Sequence, residues 1–123
     1  MLIDDDDTAN FISSVIIEKT NKFGHIEIAR SGKLGLEYLH TCLSENKDLP
    51  SLILLDINMP IMTGWQFLEE LEGNANALLD KTKIYMLSSS QNPEDFVRAD
   101  IHPFVTGFIR KPLEFETFNR LEI

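Results

Sequence analysis

Leu52-Ile53-Leu54-Leu55-Asp56-Ile57-Asn58-Met59-Pro60 carries four apolar residues in a row directly into a carboxylate. A run this short and this apolar reads as a strand buried on both faces, the condition of a central strand in a parallel sheet. Pro60 cannot continue a backbone ladder and biases Met59 away from helix, so the strand ends near Asp56. Asp56 then falls at the carboxyl end of a central strand, the edge at which open α/β sheets bind ligands. Taken alone, such an Asp is as well read as the opening of a turn.

Upstream, 46–51 is a loop, and Ser31 caps a helix over about 32–44 with Leu34, Leu39 and Leu43 facing inward. His25-Ile26-Glu27-Ile28-Ala29 alternates polar and apolar and reads as a strand nearer an edge. A turn over 21–24 precedes it. Residues 8–20 form a helix with Phe11, Ile12, Val15 and Ile16 on one apolar face, capped by Asp6 or Asp7. Met1-Leu2-Ile3 is a short first strand ending at Asp4.

Downstream, Thr63-Gly64 opens a helix carrying Phe67, Leu68 and Leu71. Gly73-Asn74 interrupts it, and 75–81 adds a turn or two. Lys83 to Leu87 is a fourth strand running into Ser88-Ser89-Ser90. Asn92-Pro93 starts a helix to about Ile101. Residues 104–109 form a fifth strand ending at Arg110-Lys111-Pro112, and a last helix carries Phe115, Phe118 and Leu121. Glu114 is a poor cap for it. The order is β-α five times over, which right-handed crossovers turn into a parallel sheet with helices on both faces.

The chain has 123 residues and reads as a single domain, 1–123, with 43% hydrophobic and 25% charged residues. No stretch approaches a membrane span, and no signal peptide opens the chain. The one cysteine, Cys42, has no internal partner, sits mid-helix as a buried inert thiol, and fits a reducing cytoplasm. The net charge of −9 argues against direct nucleic-acid binding. It suits a partner with a basic patch, or a site that gathers carboxylates for a cation. His25, His40 and His102 are scattered without ligand spacing and read as surface residues. Trp65 falls near the acidic edge.

Parallel strands all point one way, so Asp4 and Asp5, Asp56, Ser88 and Lys111 can converge on one edge. Like charges about 4 Å apart cost roughly 1 kcal/mol in water and ~4 at an effective dielectric of 20. A hard divalent cation such as Mg2+ relieves this, and Lys111 adds a second positive charge. An aspartate beside these groups can act as a nucleophile toward phosphorus, with a hydroxyl binding one phosphoryl oxygen.

Ile3-Asp4-Asp5, Leu55-Asp56-Ile57-Asn58-Met59-Pro60 with Gly64, Met86-Leu87-Ser88-Ser89-Ser90 and Gly107-Phe108-Ile109-Arg110-Lys111-Pro112-Leu113 stand in order over essentially the whole chain. With these marks the sequence resembles a receiver (response-regulator) domain of two-component signalling. The resemblance implies a flavodoxin-like (βα)5 doubly wound sheet of strand order 2-1-3-4-5. It implies Asp56 as phosphoacceptor. Asp5 is then the more direct metal ligand, with Asp4 acting largely through water and the Asn58 backbone carbonyl as a further ligand for Mg2+ or Mn2+. Ser88 matches the switch hydroxyl, Lys111 the lysine that contacts the phosphoryl group, and Phe108 the aromatic switch. A Lys111-Pro112 bond is often cis in such domains. The implied partners are a sensor histidine kinase or a histidine phosphotransfer protein, and a downstream output protein. The face of the fourth helix, fifth strand and fifth helix is the one read by partners and a possible homodimer surface. Such a module is not an enzyme beyond its own phosphorylation and dephosphorylation. Because no output domain follows, the output is a separate protein or lies on a longer chain.

Two other readings compete. Asp4-Asp5-Asp6-Asp7-Thr8 contains Asp-x-Asp-x-Thr after an apolar strand, which resembles the nucleophile motif of haloacid-dehalogenase-type phosphatases and would make Asp4 the nucleophile. A receiver-like module could also bind partners without phosphate. Within the acidic run, Asp5-Asp6 competes with Asp4-Asp5 as the metal-binding pair; the latter directly follows the strand.

Overall fold

Five parallel strands lie side by side in the order β2-β1-β3-β4-β5. They are β1 (Leu2–Ile3), β2 (Ile28–Ala29), β3 (Leu52–Leu55), β4 (Lys83–Ser88) and β5 (Gly107–Arg110). The computed structural model describes residues 1–121. Helices α1 (Asp7–Thr20), α2 (Gly32–Ser44), α3 (Gly64–Leu71), α4 (Pro93–Ile101) and α5 (Phe115–Asn119) connect or follow the strands. A 3-10 turn (Glu72–Asn74) and a short helix (Ala75–Leu79) prolong α3 and are counted with it. This is the flavodoxin-like arrangement the sequence implies.

The alternation of a strand explains the two-sided core. Ile53 and Leu55 of β3 join Ile3, Ile84 and Met86 on one face, packed with Leu39 of α2, Phe67, Leu68 and Leu71 of α3, and Ala99 of α4. Leu52 and Leu54 join Leu2, Tyr85, Leu87 and Ile109 on the other face, under Ile17 of α1 and Phe118 of α5. A buried Leu or Ile contributes about 1.5–3 kcal/mol by leaving water, so the runs on β3 and β4 anchor the sheet.

Helix ends follow local chemistry. The Asp6 carboxylate caps α1 by accepting from the Thr8 and Ala9 N–H groups, while Asp7 pairs with Arg30 at 2.6 Å. Ser31 caps α2, Thr63 and Gln66 form a capping box on α3, and Asn92 with Pro93 starts α4. Glu114 makes no side-chain cap on α5.

Three expectations need correcting. The face of α1 turned to the sheet is Asn10, Ser13 and Ile17, with Ile16 partly buried against the core; Phe11 is 70% exposed, and Ile12 and Val15 are also exposed. The amide of Asn10 donates to the Asp4 carbonyl at 2.9 Å, and this tie rotates the helix away from its apolar stripe. Leu34 is exposed on α2, where Gly32 and Gly35 take the close-packed positions. Strands β2 and β5 are shorter than the patterns suggest. Residues 102–105 turn back, with the Phe104 N–H donating to His102 Nδ1 and the Val105 N–H to the His102 carbonyl.

Candidate functional site

The strand register assembles the site. The N–H of Asp4 donates to the Ala29 carbonyl and the N–H of Asp56 to the Ile3 carbonyl, so both aspartates sit one step past the paired strand residues at neighbouring strand ends. The Lys111 N–H donates to the Ser88 carbonyl at 2.9 Å, which brings the end of β5 to the same edge. The Lys111-Pro112 peptide is cis.

Lys111 Nζ lies 2.6 Å from Asp4 Oδ2 and 3.5 Å from Asp56 Oδ1. Asp56 is only 6% exposed, Asp4 is buried and Asp5 is exposed. Asp4 Oδ1 also accepts from the Asp6 N–H at 2.9 Å. Carboxylate oxygens of Asp4, Asp5 and Asp56 all lie within 4.8 Å of one another, whereas the Asp6 side chain is taken up in capping α1.

Burial pushes the Asp56 carboxyl up to about 6, the charge of Asp4 adds to this, and Lys111 opposes it. Burial alone would lower the Lys111 ammonium; its bonds to Asp4 and Asp56 outweigh this and hold it above the ordinary lysine value. A buried carboxylate crowded by a second one carries more negative charge than one lysine balances. Three carboxylates offering only oxygen fit a hard divalent cation that keeps part of its water shell.

The loop after β3 is shaped by one close approach. A Cβ at Gly64 would collide with the Asp56 carbonyl oxygen, so the start of α3 can lie against the site only with glycine there. The Gly64 N–H donates to the Ile57 carbonyl at 2.8 Å and closes the loop. Asn58 is exposed within it, and Ile61 stands fully exposed at φ 71°.

Ser88 ends β4 completely buried, and its hydroxyl accepts from the Ser90 N–H at 3.1 Å. Phe108, on β5 opposite Met86 of β4, is half-buried. Its ring packs on Phe96 of α4 with centroids 4.3 Å apart, and the Arg110 guanidinium lies 5.0 Å from the same Phe96 ring. The structure thus brings together Asp4, Asp5, Asp56 and Lys111, with Ser88 at the adjoining strand end and Phe108 packed against Phe96 of α4.

Trp65, at the start of α3, packs against α4. It is buried, and its Nε1–H donates to Asp95 of α4 at 3.1 Å. Arg98 lies over its ring at 4.6 Å and reaches Glu69 at 3.8 Å. Its ring also lies 6.2 Å from that of His102, which is half-buried rather than a surface residue. Asp95, Phe96 and Arg98 escaped the sequence reading because their partners are on other elements, and no local spacing marks such pairs.

The chain matches the family described as response regulator receiver domain over residues 1–121. It belongs to that family. The receiver is 32% identical to a two-component response regulator from Cytophaga hutchinsonii, with a TM-score of 0.88 over 96% of this chain and 88% of that one. A two-component response regulator from Legionella pneumophila is 33% identical, with a TM-score of 0.75 over 94% of this receiver and 88% of that chain. A protein of Methanothrix harundinacea described as a probable methanogenesis regulatory protein is 28% identical over 98% of the receiver and 76% of its own length. The receiver is therefore a two-component signalling module rather than a conventional enzyme, and the family match speaks against the phosphatase alternative. Among the described residues no helix is long and apolar enough to cross a membrane.

Proposed function

We propose that Asp56 is the phosphoacceptor of a two-component relay. An Asp56 carboxylate oxygen attacks the phosphorus of a phosphohistidine on a sensor histidine kinase or a histidine phosphotransfer protein. The P–N bond breaks, and the imidazole leaves with a proton. The observation that carries this reading is the buried Asp56 carboxylate at a central strand end, faced by Lys111 and crowded by Asp4 and Asp5.

Asp4, Asp5, Asp56 and the Asn58 backbone carbonyl would hold Mg2+ or Mn2+, with Asp4 acting through water. Bound there, the cation supplies positive charge for the phosphoryl oxygens. Lys111 moves from Asp4 to a phosphoryl oxygen, and Ser88 gives up its contact with Ser90 to donate to another. Phe108 then leaves Phe96 and turns inward, and the α4-β5-α5 face changes for an output protein or for a second copy of the chain. The unit is one domain over 1–123, working in the cytoplasm on protein partners, without nucleic acid or membrane.

The test is an intact mass after incubation with Mg2+ and acetyl phosphate. A gain of one phosphoryl group that is lost in Asp56→Asn supports the reading. A gain that survives in Asp56→Asn and vanishes in Asp4→Asn moves the chemistry to β1 and supports a phosphatase-type nucleophile. No gain in any variant leaves a phosphate-independent binding module.

A further inference from the structure

The loop between β4 and α4 is held by a continuous hydrogen-bond chain. Ser88 Oγ accepts from the Ser90 N–H at 3.1 Å. Ser90 Oγ donates to Asp95 Oδ2 at 2.5 Å and accepts from the Asn92 N–H at 3.2 Å. Asp95 Oδ1 in turn accepts from the Trp65 indole N–H at 3.1 Å. The Asp95 N–H returns to the Asn92 carbonyl at 3.0 Å. Both Asp95 oxygens are therefore engaged, one by α3 and one by the loop that carries Ser88. Arg98, one turn along α4, closes the same α3–α4 contact from the other side of the Trp65 ring.

We infer that Asp95 is a positioning residue of the switch: held by Trp65, it fixes Ser90, and Ser90 keeps the Ser88 hydroxyl in its resting orientation. The inference rests on the phosphoacceptor reading of Asp56. For Ser88 to reach a phosphoryl oxygen it must leave the Ser90 N–H, and Ser90 cannot follow while Asp95 holds its hydroxyl. The chain is made only in the resting state, so it opposes activation. It also ties Ser88 to the first turn of α4, so the loop and helix shift together. The charged acceptor makes the two links that end on Asp95 stronger than neutral pairs. Breaking the link at Asp95 shifts the resting-to-active balance by on the order of tenfold.

The test uses beryllofluoride with saturating Mg2+ as the phosphoryl mimic, read by fluorine NMR of the bound ligand. Trp65 is the one tryptophan in the chain, so its indole N–H signal reports the same event. Asp95→Ala and Ser90→Ala are expected to bind about tenfold more tightly than the wild type. The indole signal of Asp95→Ala is expected to be displaced before any ligand is added. Asp95→Asn keeps an acceptor for Trp65 and a polar partner for Ser90, and should return affinity toward the wild-type value. A purely structural role would lower stability without tightening binding. Should Asp95→Ala fail to fold, Ser90→Ala carries the same expectation. Affinities within twofold of wild type, or weaker, in the folded variants overturn the inference while leaving the phosphoacceptor reading intact. A wild type that neither binds beryllofluoride nor gains phosphate overturns the phosphoacceptor reading, and the inference with it.

Discussion

Asp56→Asn should make the metal-free protein more stable, by an amount that depends on pH in one direction only. In the folded chain the Asp56 carboxyl titrates near 6, because burial and the charge of Asp4 outweigh Lys111. In the unfolded chain it titrates at about 3.9. Between these values the folded state binds more protons than the unfolded one, so stability falls as pH rises through the window and the penalty is full above about 6. The difference amounts to about 3 kcal/mol for a fully ionised Asp56. Asn stays neutral and escapes that penalty, while Lys111 keeps its 2.6 Å contact with Asp4. Loss of the weaker 3.5 Å contact with Lys111 reduces the gain, leaving about 1–3 kcal/mol at pH 8. The assay is urea unfolding in EDTA at pH 8, 6 and 4.5, where the midpoint shift reports stability if the slope is unchanged. The gain should shrink steadily toward pH 4.5. An Asn variant no more stable than wild type at pH 8, or a gain that grows as pH falls, would refute the electrostatic account of the site.

Mg2+ should raise the melting temperature of the wild type, by the equivalent of about 2.7 kcal/mol at a hundredfold excess over its dissociation constant; no shift at millimolar Mg2+ would count against the cluster as a cation site. Lys111→Ala leaves Asp4 and Asp56 facing each other without a cation and should cost roughly 1–3 kcal/mol in EDTA, less as pH falls below 6, by the same urea assay. It should still bind Mg2+, and normal phosphate-driven switching in this variant would contradict the role proposed for the lysine. Gly64→Ala places a methyl against the Asp56 carbonyl and should slow uptake of phosphate from acetyl phosphate, measured by mass against time, more than it lowers the melting temperature. Phe118→Ala should destabilise by about 3–5 kcal/mol in urea unfolding, since this fully buried ring anchors the five-residue α5 beside Phe23.

Residues 52–55 and 83–87 were legible as strands because a buried parallel strand must be apolar on both sides, and few other elements need four such residues together. The clustering of Asp4, Asp56 and Lys111 was legible for a related reason: parallel strands put all their carboxyl ends on one edge. The orientation of α1 was not. Counting apolar positions picks the stripe at Phe11, Ile12, Val15 and Ile16, of which Ile16 alone packs against the core, because the buried bond from Asn10 to the Asp4 carbonyl turns a polar face inward. That bond links residues on two elements and leaves no periodic trace. The same holds for Trp65, whose indole partner lies 30 positions away on another helix. Phe104 and Val105 look like strand residues by composition, yet the turn over 102–105 delays β5 until Gly107.

The inverted α1 has a practical corollary for anyone handling the molecule. Phe11, Ile12 and Val15 give one flank an oily stripe, on a particle carrying nine excess negative charges. Mutual repulsion keeps such particles dispersed over a Debye length of about 10 Å at 0.1 M salt, but only ~3 Å at 1 M. Salt leaves the stripe as sticky as before and removes the repulsion that guards it. Concentrated stocks should therefore stay clear in dilute buffer and turn cloudy on salting, the reverse of what a basic nucleic-acid binder does. Retention on a phenyl resin should drop when Phe11 is made polar.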